Sequence, residues 1–321
     1  MSGLLDRRLL VFLGKGGVGK STLAAATGRL LAARGRRVLL CELNARSDSS
    51  AGRHARLPRA LGLQDAPSEI TEVQPDLFLC NIQPEAALHE YMLLKLKLER
   101  VVKKLLSSDH VRSFLRMIPS LSEVVMLGKL LHHVREQRAR AFRFDVVILD
   151  APATGHGVSL LGVPRTLLRT LPSGPMRSDL EWMQALLVDP AVTAVQLVTL
   201  AEELPVSETL ELNAALRDQL ALPRGACFAN GIWPSRFDAA DRRELEARAP
   251  PALFETARRM QAQADVNRRQ LARLRAGLDL PIAELPLCFD APDAAAVTRR
   301  VQQQLEAWLS EDREAARKAI R

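Results

Sequence analysis

The sequence predicts an α/β fold in which helices flank a mostly parallel β-sheet. Short apolar runs recur between helical stretches along the 321 residues, and continuous apolar strands that alternate with helices indicate a sheet covered on both faces. A glycine-rich loop stands between the first such run and the first helical stretch, which is the order that a phosphate-binding loop requires. The hydrophobic content of 47% is ample for a packed core.

The first strand, loop and helix show the clearest pattern. The apolar run 9–13 predicts a buried strand, and the alanine- and leucine-rich stretch from Ser21 predicts a helix that ends at Gly35. Between them, residues 14–22 are GKGGVGKST, which contains the phosphate-loop pattern G-x-x-x-x-G-K-[ST]. The chain is therefore predicted to be a P-loop NTPase.

This loop predicts ATP and Mg²⁺ as ligands. Its glycines allow backbone N–H groups to point at phosphate oxygens, and the N-terminus of the following helix adds positive potential. In this motif Lys20 reaches the β- and γ-phosphates and Ser21 ligates Mg²⁺. The predicted nucleotide-binding residues of the loop are Gly14, Lys15, Gly16, Gly17, Val18, Gly19, Lys20, Ser21 and Thr22.

The remaining strands and helices are predicted to form a single domain over residues 1–321. Further strand-like runs lie at 37–41, 77–82, 144–150, 194–199, 226–230 and 282–286. Two helical insertions interrupt them, one over about 84–143 without any strand signal and one over about 164–187, and a C-terminal helix follows over about 293–321. Both insertions leave the sheet where strands end, which is the side on which ligands bind in such folds.

Asp150 ends the strand at 144–150, and the sequence DAPATGHGVSLLGVP includes it and the loop that follows. A carboxylate at this position can hold the water shell of Mg²⁺, so Asp150 joins Ser21 as a predicted metal residue, Asp150 acting through water. Gly155 and Gly157 would allow the following loop to move when the γ-phosphate leaves.

The apolar residues of the first insertion cover more than one helical stripe, so some of them must face something besides the core. They either pack against the second insertion or form an exposed groove or a dimer surface. These residues are Leu88, Tyr91, Met92, Leu94, Leu96, Leu98, Val101, Val102, Leu105 and Leu106. Methionines at Met92, Met117, Met126, Met176 and Met183 would suit an adaptable groove.

Composition argues against several classes of function. The net charge of +8 is spread along the chain without the aromatic residues of a nucleic-acid groove, so no nucleic acid is expected as a partner. No apolar run approaches the ~18 to 20 residues of a membrane span, and we expect a cytoplasmic protein. The four cysteines stand singly in apolar segments and are expected in the core. His132 and His133 lack a carboxylate or cysteine partner at metal spacing and are expected at the surface.

The motif GKGGVGKST with its extra lysine, followed by DAPATGH, resembles the ArsA/Get family of deviant Walker A P-loop ATPases in its bacterial single-domain form. Relatives of that family include MinD, ParA and the nitrogenase iron protein. The resemblance spans nearly the whole chain, because the family's switch II motif is D-T-A-P-T-G-H and VTLAEELPVSETLEL at 198–212 is similar to its V-T-P-E-E segment. It implies an ATPase that uses ATP and Mg²⁺.

The resemblance also implies roles for three side chains. In these ATPases the first lysine of the loop crosses a dimer interface and contacts the partner's nucleotide phosphates, which implies that Lys15 acts in trans like an arginine finger. Asn230 stands where relatives use an asparagine to read the adenine edge. His156 matches the histidine of the switch II motif, and for it we favour helix capping or packing over proton transfer.

One departure from the family pattern concerns hydrolysis. Relatives place an aspartate after the second strand to position the attacking water, and this chain has Asn44, whose amide cannot accept a proton at neutral pH. Glu42, on the same face of the strand, and Asp48 in the following loop could compensate, since related enzymes carry an acid at each place. The candidate catalytic residues are Lys15, Lys20, Glu42, Asn44 and Asp48, and hydrolysis is expected to be slow or left to a partner subunit.

The resemblance favours an ATP-binding dimeric switch whose opening and closing controls a partner, a hydrophobic client or a membrane protein. The dimer would be a homodimer or a heterodimer with a paralogous ATPase. Three alternatives are an ATPase subunit of an arsenite or anion efflux system, a factor that targets tail-anchored proteins, and a MinD/ParA-like positioning protein. This chain has one phosphate loop where the arsenite pump subunit has two, and it has no C-x-x-C pair to hold a zinc-bridged dimer. Both features depart from the pattern expected for an efflux subunit or a targeting factor.

The C-terminal helix carries Val297, Val301, Leu305 and Trp308 on one stripe. A helix on a membrane surface would need a more consistently basic polar face, and here acids such as Glu306 and Glu311 interrupt it. We therefore expect this helix to pack on the domain.

Overall fold

A computed structural model of the chain describes residues 5–43, 56–65, 67–96, 98–100, 107–108 and 120–320, and for 154, 239 and 312–320 it describes the backbone alone. The strands are β1 (Leu9–Leu13), β2 (Val38–Leu43), β3 (Thr71–Gln74), β4 (Leu77–Ile82), β5 (Gln137–Arg138), β6 (Ala141–Phe142), β7 (Val146–Asp150), β8 (Thr193–Leu200), β9 (Arg224–Ile232) and β10 (Ile282–Pro286). Eight of them form one sheet in the order β10-β9-β8-β1-β7-β2-β4-β3. Only the edge pair of β3 and β4 is antiparallel within this sheet, which confirms the predicted mostly parallel α/β architecture.

The described helices cover both faces of this sheet. They are α1 (Lys20–Ala32), α2 (Arg56–Leu61), α3 (Pro84–Leu96), α4 (Leu121–Arg135), α5 (Thr154–Leu168), α6 (Pro175–Val188), α7 (Glu203–Ala214), α8 (Ala239–Arg248), α9 (Pro251–Gly277) and α10 (Ala294–Ile320). A π-helical turn over Ala215–Leu220 continues α7. One apolar cluster joins the sheet to α1, α2 and α10, and the other joins it to α3 to α7 and α9. The strands β1, β2 and β7 are buried along their whole length because both faces are covered.

The register of the parallel strands brings the predicted site residues to one edge of the sheet. Phe12 near the end of β1 lies opposite Asp150 at the end of β7, and Glu42 near the end of β2 lies opposite Asp150 from the other side. Leu13 pairs with Leu197 of β8. The loop that follows β1 therefore stands above the carboxyl ends of four neighbouring strands.

The helical insertions differ from the sequence prediction in two respects. The first contains a two-stranded hairpin of β5 and β6, which the absence of any strand signal over 84–143 did not predict. Its strands are two residues long and exposed, so they carry no apolar alternation. The second helical region begins at Thr154, ten residues before the predicted start, and Pro164 lies inside α5 instead of marking its boundary. Val101, Val102, Leu105, Leu106 and Met117 lie outside the described residues.

The C-terminal helix α10 packs on the domain as the stripe predicts. Val301 and Leu305 are buried in the cluster that includes α1, and the ring of Trp308 lies 5.8 Å from that of Phe228. Arg29 of α1 donates a hydrogen bond to Gln302 at 3.0 Å. Within the described ranges, no helix combines the length and apolar composition that a bilayer-spanning segment needs.

Candidate functional site

The loop between β1 and α1 has a backbone that requires glycine at several positions. Gly17 and Gly19 have φ angles of 88° and 98°, a left-handed region that other residues rarely adopt. A Cβ on Gly14 would lie 2.1 Å from the carbonyl oxygen of Val198 in β8. Gly16 is exposed, whereas Val18 is buried and anchors the loop in the core. The loop is therefore held close to the sheet, and at its glycines no side chain covers the backbone N–H groups that bind phosphate.

Lys20 is buried at the first position of α1. Its Nζ donates to the carbonyl oxygens of Gly14 at 3.0 Å and Lys15 at 2.9 Å, so the ammonium lies within the loop. Burial lowers the pKa of Lys20, and the charge of Asp150 acts in the opposite direction. The ammonium thus has neutral carbonyl partners inside the loop, which is where the motif places a bound phosphate.

Ser21 and Asp150 are brought together by α1 and β7. The Ser21 hydroxyl donates a hydrogen bond to Oδ2 of Asp150, whereas Oδ1 of Asp150 is buried without a partner. Burial raises the pKa of Asp150 to about 6, and the Ser21 hydroxyl and the Lys20 charge partly offset this rise. The two predicted metal residues are therefore in direct contact.

Glu42 is the second buried carboxyl group at this edge, with 8% of its surface exposed. Its Oε1 accepts a hydrogen bond from the backbone N–H of Arg56 at 3.2 Å, and its Oε2 has no partner. Burial raises the pKa of Glu42 to about 7, and the neighbouring charge of Asp150 acts in the same direction. Asn44 and Asp48 lie outside the described residues, so their predicted roles stay predictions.

The donor set fits Mg²⁺. Two buried carboxylate oxygens, Oδ1 of Asp150 and Oε2 of Glu42, have no partner, and the Ser21 hydroxyl adjoins the first of these side chains. Hard oxygen ligands of this kind are what Mg²⁺ binds, usually with several waters retained. In the part of the chain that the structure describes, no three His, Cys, Asp or Glu side chains are grouped to hold a metal ion.

Lys15 has a partner in its own chain. Its Nζ lies 2.8 Å from Oε1 of Glu208 on α7, and about a third of each side chain is exposed. The sequence did not predict a role for Glu208, although it lies in the VTLAEELPVSETLEL segment that contributes to the family resemblance. The predicted contact of Lys15 with a second chain's phosphates stays a prediction.

Asn230 lies beside the loop, in β9. Its Nδ2 donates to the carbonyl oxygen of Val18 at 2.9 Å, and a Cβ on Gly19 would lie 2.3 Å from that nitrogen. The side chain therefore supports the loop in this structure. Recognition of the adenine edge by Asn230 stays a prediction.

The segment after Asp150 packs closely on β1. A Cβ on Gly157, in the first turn of α5, would lie 2.5 Å from Leu13 and 2.9 Å from the carbonyl oxygen of Pro152. His156 is exposed, and its backbone N–H donates to the carbonyl oxygen of Ala153 at 3.0 Å. The start of α5 is thus in contact with the strand that carries the phosphate loop.

The histidine pair differs from the sequence prediction. His132 is exposed, but His133 is buried, and its Nδ1 lies 3.1 Å from Oε2 of Glu136. Burial lowers the pKa of His133, while Glu136 acts in the opposite direction. The surface prediction for His133 was wrong because a carboxylate three residues away along the chain satisfies one ring nitrogen inside the core.

An apolar groove lies between α3, α4 and α6, with a cavity of about 190 Å³. Its lining includes Tyr91, Val124, Leu180, Trp182 and Met183. Leu94, Leu96 and Met176 are 66%, 43% and 40% exposed, so part of the apolar surface predicted for the two insertions does not pack between them. Ion pairs stand at the rim, with Lys95 at 2.6 Å from Asp179 and Lys129 at 2.6 Å from Glu90.

The chain is similar in sequence to known proteins. Residues 7–173 match the model of a family described as anion-transporting ATPases. The ATPase BagA of Mycobacterium tuberculosis is 30% identical over 311 residues, which cover 95% of this chain and 86% of that protein. An arsenical pump-driving ATPase of Escherichia coli is 27% identical over 248 residues, which cover 72% of this chain and 40% of that protein. The match to the pump-driving protein therefore spans less than half of its length.

Proposed function

The chain belongs to the family of anion-transporting ATPases and is an ATPase, and from the geometry of its site we propose that it is a dimeric switch driven by Mg²⁺·ATP. Nucleotide closes two subunits face to face, and the helical insertions carry the change to a partner protein. The subunits are two copies of this chain or this chain and a paralogous ATPase.

A single observation supports the nucleotide chemistry most strongly, namely the cluster formed by Lys20, Ser21 and Asp150. The Lys20 ammonium lies inside the loop on two carbonyl oxygens, and the Ser21 hydroxyl contacts the buried Asp150 carboxyl group. These are the positions that a phosphate loop uses for the β- and γ-phosphates and for the metal. Mg²⁺ held there would neutralise phosphate charge as the terminal phosphate is transferred.

The residues of the chain have separate tasks in this proposal. Backbone N–H groups of the loop bind phosphate oxygens, Lys20 turns from its carbonyl partners toward the phosphates, and Asn230 reads the base. Ser21 and Asp150 would hold Mg²⁺, Ser21 through its hydroxyl and Asp150 through water. Each step uses a group that already lies at the carboxyl edge of the sheet.

The first test concerns metal-dependent nucleotide binding. Ser21→Ala should reduce the gain in ATP affinity that Mg²⁺ provides by at least about tenfold, since the loss of even an outer-shell partner of a metal ligand typically costs about 10 to 100-fold in metal affinity. Thr27→Val is the matched control, because the Thr27 hydroxyl lies on the same helix and is buried without a partner. Calorimetric titration of ATP with and without Mg²⁺ measures the difference. Equal Mg²⁺ dependence in both variants would contradict the proposed site.

Slow hydrolysis is the second part of the proposal. Asn44 cannot take a proton from the attacking water, and the Glu42 carboxyl group lies two residues earlier at the buried strand end. Asn44→Asp should therefore raise the turnover rate by about 10²-fold, the lower end of the range of about 10²–10⁴ that a positioned base contributes. Phosphate release under saturating Mg²⁺·ATP measures it. If the natural chain hydrolyses ATP as fast as the variant, Asn44 does not limit turnover.

A hydrophobic client is the partner that the groove between α3, α4 and α6 favours. Its apolar lining and its exposed leucines and methionine provide a surface for an apolar helix or tail. The E. coli relative's name supports a different partner, an arsenical pump, which stays the second candidate. Stimulation of ATP hydrolysis by arsenite would favour the pump, whereas co-purification of apolar tail segments that is lost in Leu94→Ser would favour the client.

A further inference from the structure

The two lysines of the phosphate loop point in different directions. Lys20 lies inside the loop, and Lys15 reaches outward to Glu208, which follows it by 193 residues in the same chain. Among the described residues, Glu208 is the partner of the Lys15 ammonium and accepts from it at 2.8 Å. The pair joins the phosphate loop to α7, the helix that directly follows β8.

The backbone of Lys15 is held by a second contact. Its carbonyl oxygen accepts a hydrogen bond from Lys20 Nζ at 2.9 Å. When Lys20 turns to a bound phosphate, this contact is lost, and Glu208 is left as the side-chain restraint on Lys15. Nucleotide binding and the position of Lys15 are therefore linked through Lys20.

We propose that Glu208 is a latch in cis that holds Lys15 away from the partner subunit until nucleotide binding favours its release. This inference rests on the proposed dimeric switch and concerns its regulation. The ion pair, with Nζ 2.8 Å from Oε1, holds the Lys15 ammonium against α7 of its own chain, and in this proposal Lys15 exchanges the Glu208 carboxylate for phosphates of the second chain when it acts in trans. Glu208 thereby sets the nucleotide and protein concentrations at which the dimer forms.

The expected effect of the latch on the dimerisation constant follows from the exposure of the ion pair and from the symmetry of the dimer. About a third of each side chain is exposed, and ion pairs near the surface contribute a factor of about 1.4 to 5 in an equilibrium constant. A symmetric dimer requires two such pairs to break, one in each subunit, so the factors multiply to about 2 to 25-fold in the dimerisation constant. Such a latch delays dimer formation without preventing it.

The test uses the full-length chain with Mg²⁺ and the non-hydrolysable analogue AMP-PNP. Glu208→Gln keeps the length of the side chain and removes the charge, and Glu211→Gln is the matched control, an exposed acid one turn later on α7. Sedimentation equilibrium over a range of protein concentrations gives the dimerisation constant. We expect Glu208→Gln to form the dimer about 2 to 25-fold more tightly than the natural chain and Glu211→Gln to match the natural chain.

Glu208→Ala provides a second variant should Glu208→Gln fold poorly. It removes the carboxylate and suits a helix, so the contact with Lys15 is lost and the dimer should again form more tightly. A dimerisation constant in either variant that equals or falls below that of the natural chain would overturn the latch. If the natural chain and both variants bind AMP-PNP yet all remain monomeric, the homodimeric form of the proposed switch fails, and the latch between two copies of this chain fails with it.

Discussion

At the scale of single residues, the informative feature is a pair of acids that share a buried strand edge. Glu42 and Asp150 face each other across β2 and β7, and burial raises their pKa values to about 7 and about 6. A carboxyl group whose pKa is higher in the folded than in the unfolded chain binds more protons when folded. Its stabilising effect is therefore complete below the unfolded pKa and is lost as the pH rises through the folded pKa.

The direction of this pH dependence gives a prediction for Glu42. Its pKa rises from 4.5 to about 7, which corresponds to about 3 kcal/mol of unfolding free energy lost between about pH 4.5 and 7 in the nucleotide-free protein. Glu42→Gln does not titrate, so the difference in unfolding free energy between variant and natural chain should change by about that amount over this interval. Urea unfolding at pH 5, 6, 7 and 8 measures it. Glu72→Gln, at an exposed acid of β3, is the control, and parallel curves for Glu42→Gln and the natural chain would contradict the prediction.

Residue-scale prediction from sequence worked where a motif specifies geometry. The phosphate-loop pattern specified the positions of Lys20 and Ser21, and the apolar strand before Asp150 indicated its place at the sheet edge. The contact between Lys15 and Glu208 joins positions 193 residues apart and depends on the packing of α7, which no local pattern contains. The hydrogen bond from Asn230 to the loop has the same long-range origin.

At the scale of elements, α10 shows how a stripe of apolar residues determines packing. Val301 and Leu305 are buried against the cluster that contains α1 and α2, while the intervening positions are mostly polar. Salt bridges contribute little here, since Arg34 and Glu306 lie 3.8 Å apart and are partly exposed. The attachment of this helix is therefore mainly apolar.

Truncation of Leu305 tests that attachment. Leu305→Ala removes a fully buried side chain and should lower the unfolding free energy by about 3 kcal/mol, within the range of 2 to 5 kcal/mol typical of such changes. Gln303→Ala, at an exposed position two residues earlier, should change it by less than about 0.5 kcal/mol. Chemical denaturation measures both. If the two variants are equally stable, α10 does not pack on the domain in solution.

The sequence predicted long elements more accurately than short ones. Apolar runs located β1, β4 and β7 within a residue or two, because these strands are continuous and buried on both faces. The hairpin of β5 and β6 could not be found in this way, since Ala139 and Arg140 adopt positive φ angles without glycine and the strands are exposed. The predicted start of α5 at Pro164 was wrong, because this proline is accommodated within the helix.

At the scale of the whole molecule, the residues of the proposed nucleotide site lie along one edge of the sheet. The carboxyl ends of β1, β2, β7 and β8 lie side by side, so a loop, two acids and the start of α7 converge although they are far apart in sequence. The alternation of strands and helices along the sequence was enough to predict that the sheet is mostly parallel. The strand order and the antiparallel edge strand β3 could not be predicted, because they depend on which surfaces the helices cover.

The close contact of Gly157 with β1 has a mechanical consequence. The helix α5 has this contact in its first turn and packs against α4 and α6, two walls of the apolar groove. Its 15 residues span about 22 Å at 1.5 Å per residue, so a tilt of about 10° at the first turn would displace the far end by about 4 Å. With α5 as a lever, a displacement of about 1 Å beside Asp150 would therefore move the far end of the helix by several times as much, next to α4 and α6, which line the groove.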